Sequence, residues 1–476
     1  MIHAPERPSQ QIEAPSPWKP CDLRGIYPDV VSTGLFCDIG AAVGTMLGPT
    51  ARVVIAGDFR LSTPDLKLAL SSGLLQTGAH VYDAGQIPTP LAYYAANIIH
   101  ADAVLIVTAS HNPAAHNGLK LMLRSVPTNP EQINQIRALT ITRDFRSGTG
   151  KIETFDPVPE YMQTILARWG YLKQSGHSRV ILDAGNGAWS ELAPEIFRQL
   201  GFDVTCISCM PDGNFPDRSP DCSRAGNLTR LCQTVTQQKN SIGIAWDGDG
   251  DRVAFVDENG DFVSPDEIAL LLASSVLEKQ DKAASENRKI VVDIKCSDIV
   301  RRIIEQQHGT ALLERTGHAF MRGRMVADNA LLGLDACGHY FFQELKGGDD
   351  GLFAALFFLD ALDHKGQLLS EVRRSLPRIY TTPELRIPTS MLPYVIAAKS
   401  LTSAFPDAKI MDTDGLRFIM DDGVVLVRES GTEPVVSLTI EGFHAEGHQR
   451  ILSQCVQSLP QASTHLQNEL QDLATR

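Results

Sequence analysis

The sequence predicts an α/β protein of several domains, and three observations predict it. Apolar runs of strand character at residues 53–56, 103–107, 180–182, 242–246 and 290–292 alternate with helical patterns, each run leading into Gly, Asp or Ser. That alternation marks βαβ units and largely parallel sheets. The 476 residues exceed what one hydrophobic core organises, so roughly three or four domains are expected. Past residue 388 the pattern changes to strands at 424–427 and 435–440 combined with two helices, a smaller α+β domain.

Taken in order, residues 1–17 are rich in Pro, Gln and Ser and lack an apolar h-region. They are expected as a disordered tail rather than a signal peptide. A first domain, 18–157, ends in the polar stretch 143–157, read as a linker before a helical pattern near Glu160. A second, 158–260, closes on a Gly- and acid-rich hairpin or hinge at 257–266. A third, 261–375, leads through 375–388, whose three prolines read as a linker, into the last domain, 376–476. The strand-loop-helix plan recurs at domain scale, without a short solenoid repeat.

Composition narrows the function. A net charge of −13 argues against a nucleic-acid partner, because phosphate backbones need clustered Lys and Arg. Small phosphorylated substrates stay open, since a few placed cations can hold them. No apolar run reaches the length of a membrane span. Nine scattered cysteines do not form a disulfide framework, and a reducing cytoplasm is expected. Cys206 and Cys209 make a single Cys-x-x-Cys with no second pair, read as buried positions on or near a strand rather than zinc ligands.

Three motifs carry chemistry. Thr108-Ala109-Ser110-His111-Asn112-Pro113 follows the apolar run 103–107 and delivers the Ser110 hydroxyl to a strand's carboxyl end, where open α/β sheets bind ligands. The other reading is a turn in which Ser110 and Asn112 cap backbone groups.

Asp247-Gly248-Asp249-Gly250-Asp251-Arg252 follows the run 242–246. Its glycines let the backbone curl so that alternate carboxylates converge. Carboxylates about 5 Å apart repel by roughly 3 kcal/mol per pair at an effective dielectric of about 20, so a cation is needed to hold them. All-oxygen ligands point to Mg²⁺ or Ca²⁺. An EF-hand is disfavoured: Glu258 falls at the twelfth position, but Arg252 occupies the sixth, where that loop needs Gly. A solvated acidic turn is the alternative. Arg428-Glu429-Ser430-Gly431-Thr432-Glu433-Pro434 offers a guanidinium fork, two hydroxyls and a flexed backbone, as a phosphate cradle or as a β-bulge loop with an exposed Arg. A phosphoryl-accepting serine, a divalent metal site and a separate phosphate anchor are together the parts of phosphoryl transfer.

With these residues assembled, the chain resembles the α-D-phosphohexomutase superfamily, most like its bacterial phosphomannomutase/phosphoglucomutase branch, from about Lys19 to the end. Cys21-Asp22-Leu23-Arg24-Gly25, Gly57-Asp58-Phe59-Arg60, Pro88-Thr89-Pro90 and Pro211-Asp212-Gly213 are also similar to family segments. The resemblance implies four domains around a central cleft and a phosphohexomutase that interconverts hexose 1- and 6-phosphates through a hexose 1,6-bisphosphate. It implies a phosphoserine at Ser110, with one Mg²⁺ on Ser110, Asp247, Asp249 and Asp251, and the bisphosphate as activator. Arg24, His111, Lys120 and Arg252 resemble residues around the phosphoserine. Lys295 and His318 match positions of proton transfer and substrate contact, and Arg428, Ser430, Gly431 and Thr432 match the phosphate loop. Small sugar phosphates are the expected partners of a cytoplasmic monomer.

One loop departs from the family pattern. The sugar-reading Glu-x-Ser-Gly-His is here Asp335-Ala336-Cys337-Gly338-His339. Asp335 is one methylene shorter, and Cys337 replaces a hydroxyl with a weaker hydrogen-bonding thiol. The changes bear on which sugar is read, not on phosphoryl transfer. Phosphoglucosamine mutase, a serine-based metal-dependent phosphatase and a non-catalytic sugar-phosphate binder are the rival readings. The first usually carries a Gln before the Ser, which this chain lacks.

Overall fold

A computed structural model describes residues 16–124, 126–174, 179–279, 288–430 and 434–474, so the expected tail lies outside the described residues up to residue 15. Four sheets follow one another along the chain. The first runs Asp22–Ile26, His116–Leu123, Ala103–Val107, Arg52–Gly57, His80–Gln86, Lys151–Thr154. The second runs Phe262–Val263, Val253–Val256, Ile242–Trp246, Arg179–Asp183, Asp203–Ile207. The third runs Thr310–Glu314, Lys289–Asp293, Leu332–Leu334, Tyr340–Phe342, Gly348–Asp349.

The expectation of mainly parallel sheets needs a correction. In each of these three sheets antiparallel pairings equal parallel ones in number. The recurring unit is not strand-loop-helix alone. The buried strand Ala103–Val107 turns back through a loop into antiparallel His116–Leu123. Ile242–Trp246 does the same with Val253–Val256, and Leu332–Leu334 with Tyr340–Phe342. All three returns leave the carboxyl end of a strand that also has a parallel neighbour. A buried apolar run looks the same whichever direction its neighbour takes, so the sequence pattern could not separate them.

Stretches read as linkers also contain strands. Lys151–Thr154 lies inside 143–157 as an exposed edge strand, which has no buried face to create alternation. Tyr380–Thr381 and Leu385–Pro388 lie inside 375–388 and pair with Val435–Gly442 in the fourth sheet. The second sheet extends to Val263, past the expected end at 260. The last domain packs three helices, not two, on its sheet: Tyr394–Ala404, Ala445–Ser458 and Ser463–Ala474. Cys206, on the edge strand Asp203–Ile207, is exposed rather than buried.

One apolar core runs continuously from Val54 and Leu91 behind the first sheet through Trp246 to Val292 and Phe358. The last domain keeps a separate core around Phe418, Val425 and Leu438. It is tied to the third domain by polar contacts: the buried Arg417 donates to Ile294 O, and Glu441 accepts from Ser297 Oγ at 2.6 Å and Asp298 N at 2.9 Å. Among the described residues no helix is long and apolar enough to cross a membrane.

Candidate active site

Three of the returning loops, one from each of the first three domains, meet in a cavity of about 770 Å³. Arg24, Ser110, His111 and Lys120 line it from the first domain and Arg252 from the second. His318, Asp335, Cys337 and His339 line it from the third. The spacing of these loops along the chain does not itself bring them together; the resemblance implied a shared cleft, and the three loops do line one.

Ser110 sits at the carboxyl end of Ala103–Val107, nearly fully buried, with φ 52°. Its Oγ donates to Asp247 Oδ2 at 2.8 Å and lies 3.2 Å from His111 Nδ1. The charge of Arg252, then burial, holds the His111 imidazole well below its ordinary pKa, so the ring is neutral.

Asp247, Asp249 and Asp251 are completely buried, and one carboxylate oxygen of each lies within 4.8 Å of the others. Burial, then the neighbouring Asp249 and Asp251, pushes the Asp247 carboxyl up to about 8. Lys120 Nζ bridges Asp249 Oδ2, at 2.6 Å, and Asp251 Oδ2. Asp249 Oδ1 is buried with no hydrogen-bond partner. Buried like charges and an orphaned carboxylate oxygen fit a hard divalent cation. Asp247, Asp249, Asp251 and the Ser110 oxygen could hold it.

This loop is fixed from outside as well. Thr89 N donates to Asp249 O at 2.9 Å and Thr89 Oγ1 to Asp249 Oδ2 at 2.7 Å. Sequence reasoning assigned Thr89 no role, although Pro88-Thr89-Pro90 was visible as a motif. Gly250 has φ 82°, and a Cβ there would meet Trp189 at 2.4 Å, so the curl between the carboxylates requires glycine.

The 335–339 loop joins the carboxylate segment directly: Val253 N donates to Gly338 O at 3.0 Å. Asp335 Oδ1 accepts from Cys337 N at 2.8 Å and His339 N at 2.9 Å, and Oδ2 from His339 Nδ1 at 2.5 Å. Both oxygens of Asp335 are thus engaged within its own loop. The His339 imidazole pKa is raised well above the ordinary value: burial opposes this, but Asp335 and Asp251 outweigh it. His339 Nε2 lies 3.3 Å from Asp251 Oδ1 and 3.1 Å from Arg252 Nε.

Of the remaining candidates, His318 and Arg24 line the cavity, whereas Lys295 and Arg428 do not. His318 opens the helix His318–Asp328, its Nε2 3.0 Å from Asp349 Oδ1 and 3.3 Å from Tyr93 OH. Lys295 Nζ pairs with Glu384 of the last domain at 3.2 Å and is not part of the cavity lining. Arg24 donates through Nε to Asp22 Oδ2 at 2.9 Å, while its buried Nη1 has no hydrogen-bond partner. Arg428 is not part of the lining either; its Nη2 donates to Asp414 Oδ2 at 2.7 Å. Ser430 N donates to Val435 O at 2.9 Å, beside the antiparallel strands Gly423–Glu429 and Val435–Gly442. Gly431 and Thr432 lie outside the described residues. Asp58, Arg60, Asp349 and Glu384 contact these groups and were not singled out as site residues; only Asp58 and Arg60 had a signal, the Gly57–Arg60 segment.

Four family models match the chain in order. They are the phosphoglucomutase/phosphomannomutase α/β/α domains I, II and III at residues 19–147, 159–260 and 264–380, and the C-terminal domain at 392–457. The chain is 33% identical over 435 residues to a phosphomannomutase/phosphoglucomutase from Pseudomonas putida, covering 90% of this chain and 92% of that protein. It is 32% identical to a phosphoglucomutase from Neisseria gonorrhoeae, covering 91% and 94%. A crystal structure of a phosphoglucomutase/phosphomannomutase family protein from Burkholderia thailandensis superposes with a TM-score of 0.84 at 31% identity, covering 93% of this chain and 96% of that one.

Proposed function

This chain belongs to the phosphoglucomutase/phosphomannomutase family, and we propose that Ser110 is its phosphoryl carrier in interconverting mannose or glucose 1- and 6-phosphates. The enzyme is a phosphohexomutase, an isomerase that moves a phosphoryl group within a sugar. One juxtaposition carries the assignment of Ser110. Its hydroxyl meets Asp247 of a buried carboxylate triad at 2.8 Å, inside a cavity that Arg24, Arg252 and His318 also line.

In the first half-reaction the phosphoryl group leaves Ser110 Oγ for the free hydroxyl of a bound hexose monophosphate. The new O–P bond forms as the serine O–P bond breaks, and the sugar hydroxyl's proton passes to a base. His318 suits that role: an Nε2–H donated to Asp349 leaves Nδ1 as an acceptor. The 1,6-bisphosphate turns over in the cleft. Its other phosphoryl group returns to Ser110 Oγ, and the proton returns to the sugar oxygen. The orphaned Arg24 Nη1 and the ammonium of Lys120 are placed to bind phosphoryl oxygens. Mg²⁺ on Asp247, Asp249 and Asp251 supplies charge neutralisation to the transferring group when bound. Arg428 and Ser430 anchor the resting phosphate, the bisphosphate acts as activator, and the enzyme works as a monomer in the cytoplasm.

Initial rates on mannose, glucose, glucosamine and N-acetylglucosamine 1-phosphates, with hexose 1,6-bisphosphate and Mg²⁺, test the reading. Isomer formation without stoichiometric phosphate release is expected, with phosphate mapped to the Ser110 peptide. Phosphate release without isomer would make the enzyme a phosphatase. Preference for glucosamine 1-phosphate would move the sugar assignment.

A further inference from the structure

Asp58 and Arg60 touch no cleft, yet both are buried, Arg60 completely. The Arg60 guanidinium spends all its donors on one neighbourhood. Nε donates to Asp58 Oδ2 at 3.0 Å. Nη1 donates to the carbonyls of Pro113 at 2.7 Å and His116 at 3.0 Å. Nη2 donates to those of Ser110 at 2.8 Å and Asn112 at 2.5 Å. Asp58 in turn accepts from Thr108 Oγ1 at 2.7 Å, and Thr108 Oγ1 accepts from Ser110 N at 2.8 Å. Ser110 is therefore gripped at both its backbone N–H and its carbonyl.

The grip has a purpose that sterics define. Ser110 holds φ 52°, a left-handed conformation that side-chain-bearing residues adopt only when surroundings impose it. From that conformation its Oγ reaches Asp247. The second domain packs under the clamp. The Phe215 ring lies 5.0 Å from the Arg60 guanidinium, and a Cβ on Gly213 would come within 2.5 Å of Phe59 O. The segments 57–60 and 211–213 thus meet beneath the serine.

We propose that Arg60 is a positioning residue of phosphoryl transfer, its guanidinium holding the Ser110 loop so that Oγ stays aimed at the metal triad. A lysine keeps the charge but is a point donor and cannot span carbonyls of Ser110, Asn112, Pro113 and His116 together. The proposal rests on Ser110 as phosphoryl carrier, so Ser110→Ala belongs in the same assays.

Arg60→Lys is expected to lower kcat about a hundredfold, the scale of a displacement near 1 Å. KM for hexose phosphates should stay within about threefold, since ground-state binding is untouched. The single-turnover rate of Ser110 phosphorylation by hexose 1,6-bisphosphate should fall in step with kcat. Thr108→Val, which removes the hydroxyl joining Ser110 N to Asp58 but leaves the Arg60 bonds in place, should lower kcat about tenfold and decides the matter if Arg60→Lys does not fold. Inactive Ser110→Ala with both other variants at full kcat would overturn the Arg60 proposal alone. So would a lowered melting temperature with kcat of the folded protein unchanged. An active Ser110→Ala would overturn the carrier assignment and this proposal with it.

Discussion

The loop that bears Ser110 and the loop that bears Asp335 both leave the carboxyl end of a buried strand and return antiparallel, yet they are held from different distances. Ser110 is fixed by Arg60, 50 residues away, and faces Asp247, 137 residues away. Asp335 is fixed by the backbone and ring of its own loop, His339 being four residues on. The Ser110–Asp247 contact is therefore a joint product of two domains, whereas Asp335 is held within its own loop, which meets the second domain through Gly338 and His339. The Asp335 and Cys337 departures fall in that loop, whose His339 also touches Asp251 and Arg252.

The comparison predicts a ranking of effects. Ser110→Ala should lower isomerisation by at least about a thousandfold, as removal of a covalent carrier does, without shifting the melting temperature by more than a few degrees. Initial rates and thermal denaturation check both. Chelation should remove activity by about a hundredfold or more, the scale of a lost electrostatic stabiliser. Re-added Mg²⁺ should restore activity and raise the melting temperature by binding only the folded state. Asp249→Asn should abolish that thermal shift while leaving the 335–339 loop intact.

Asp335→Asn should raise KM about tenfold, about 1.4 kcal/mol, and lower kcat far less than Ser110→Ala does, because it reaches the carboxylate triad only through His339. A fall in kcat as deep as that of Ser110→Ala would erase the distinction between the two loops. Cys337→Ser should raise kcat/KM for mannose or glucose phosphates about two- to tenfold, the worth of one neutral hydrogen bond. A decrease would mean that the thiol is matched to another sugar.

Much of this site was legible because its residues are local in sequence. Asp247, Asp249 and Asp251 announce themselves by spacing, and Thr108 to Pro113 by its position after an apolar run. Thr89 and Arg60 sat in visible motifs with no visible task, since their partners Asp249 and Ser110 lie in remote segments. Asp349 and Glu384 gave no signal. A carboxylate beside His318 is a matter of which helix end meets which strand end, and one beside Lys295 of which two loops meet. Edge strands such as Lys151–Thr154 escaped notice because both faces are wet.

The sequence by itself determined the α/β class, the identity of the carboxylate triad and the serine that follows a buried strand. Those follow from periodicity and from chemistry concentrated within a few residues. Only the tertiary structure decided which way each loop returns, which side chains of the three loops face the common cleft, and that a fully buried arginine from a fourth segment grips the serine. Those depend on hydrogen bonds and packing between segments as far as 225 residues apart, and pairings at that range leave no periodic trace in a single chain.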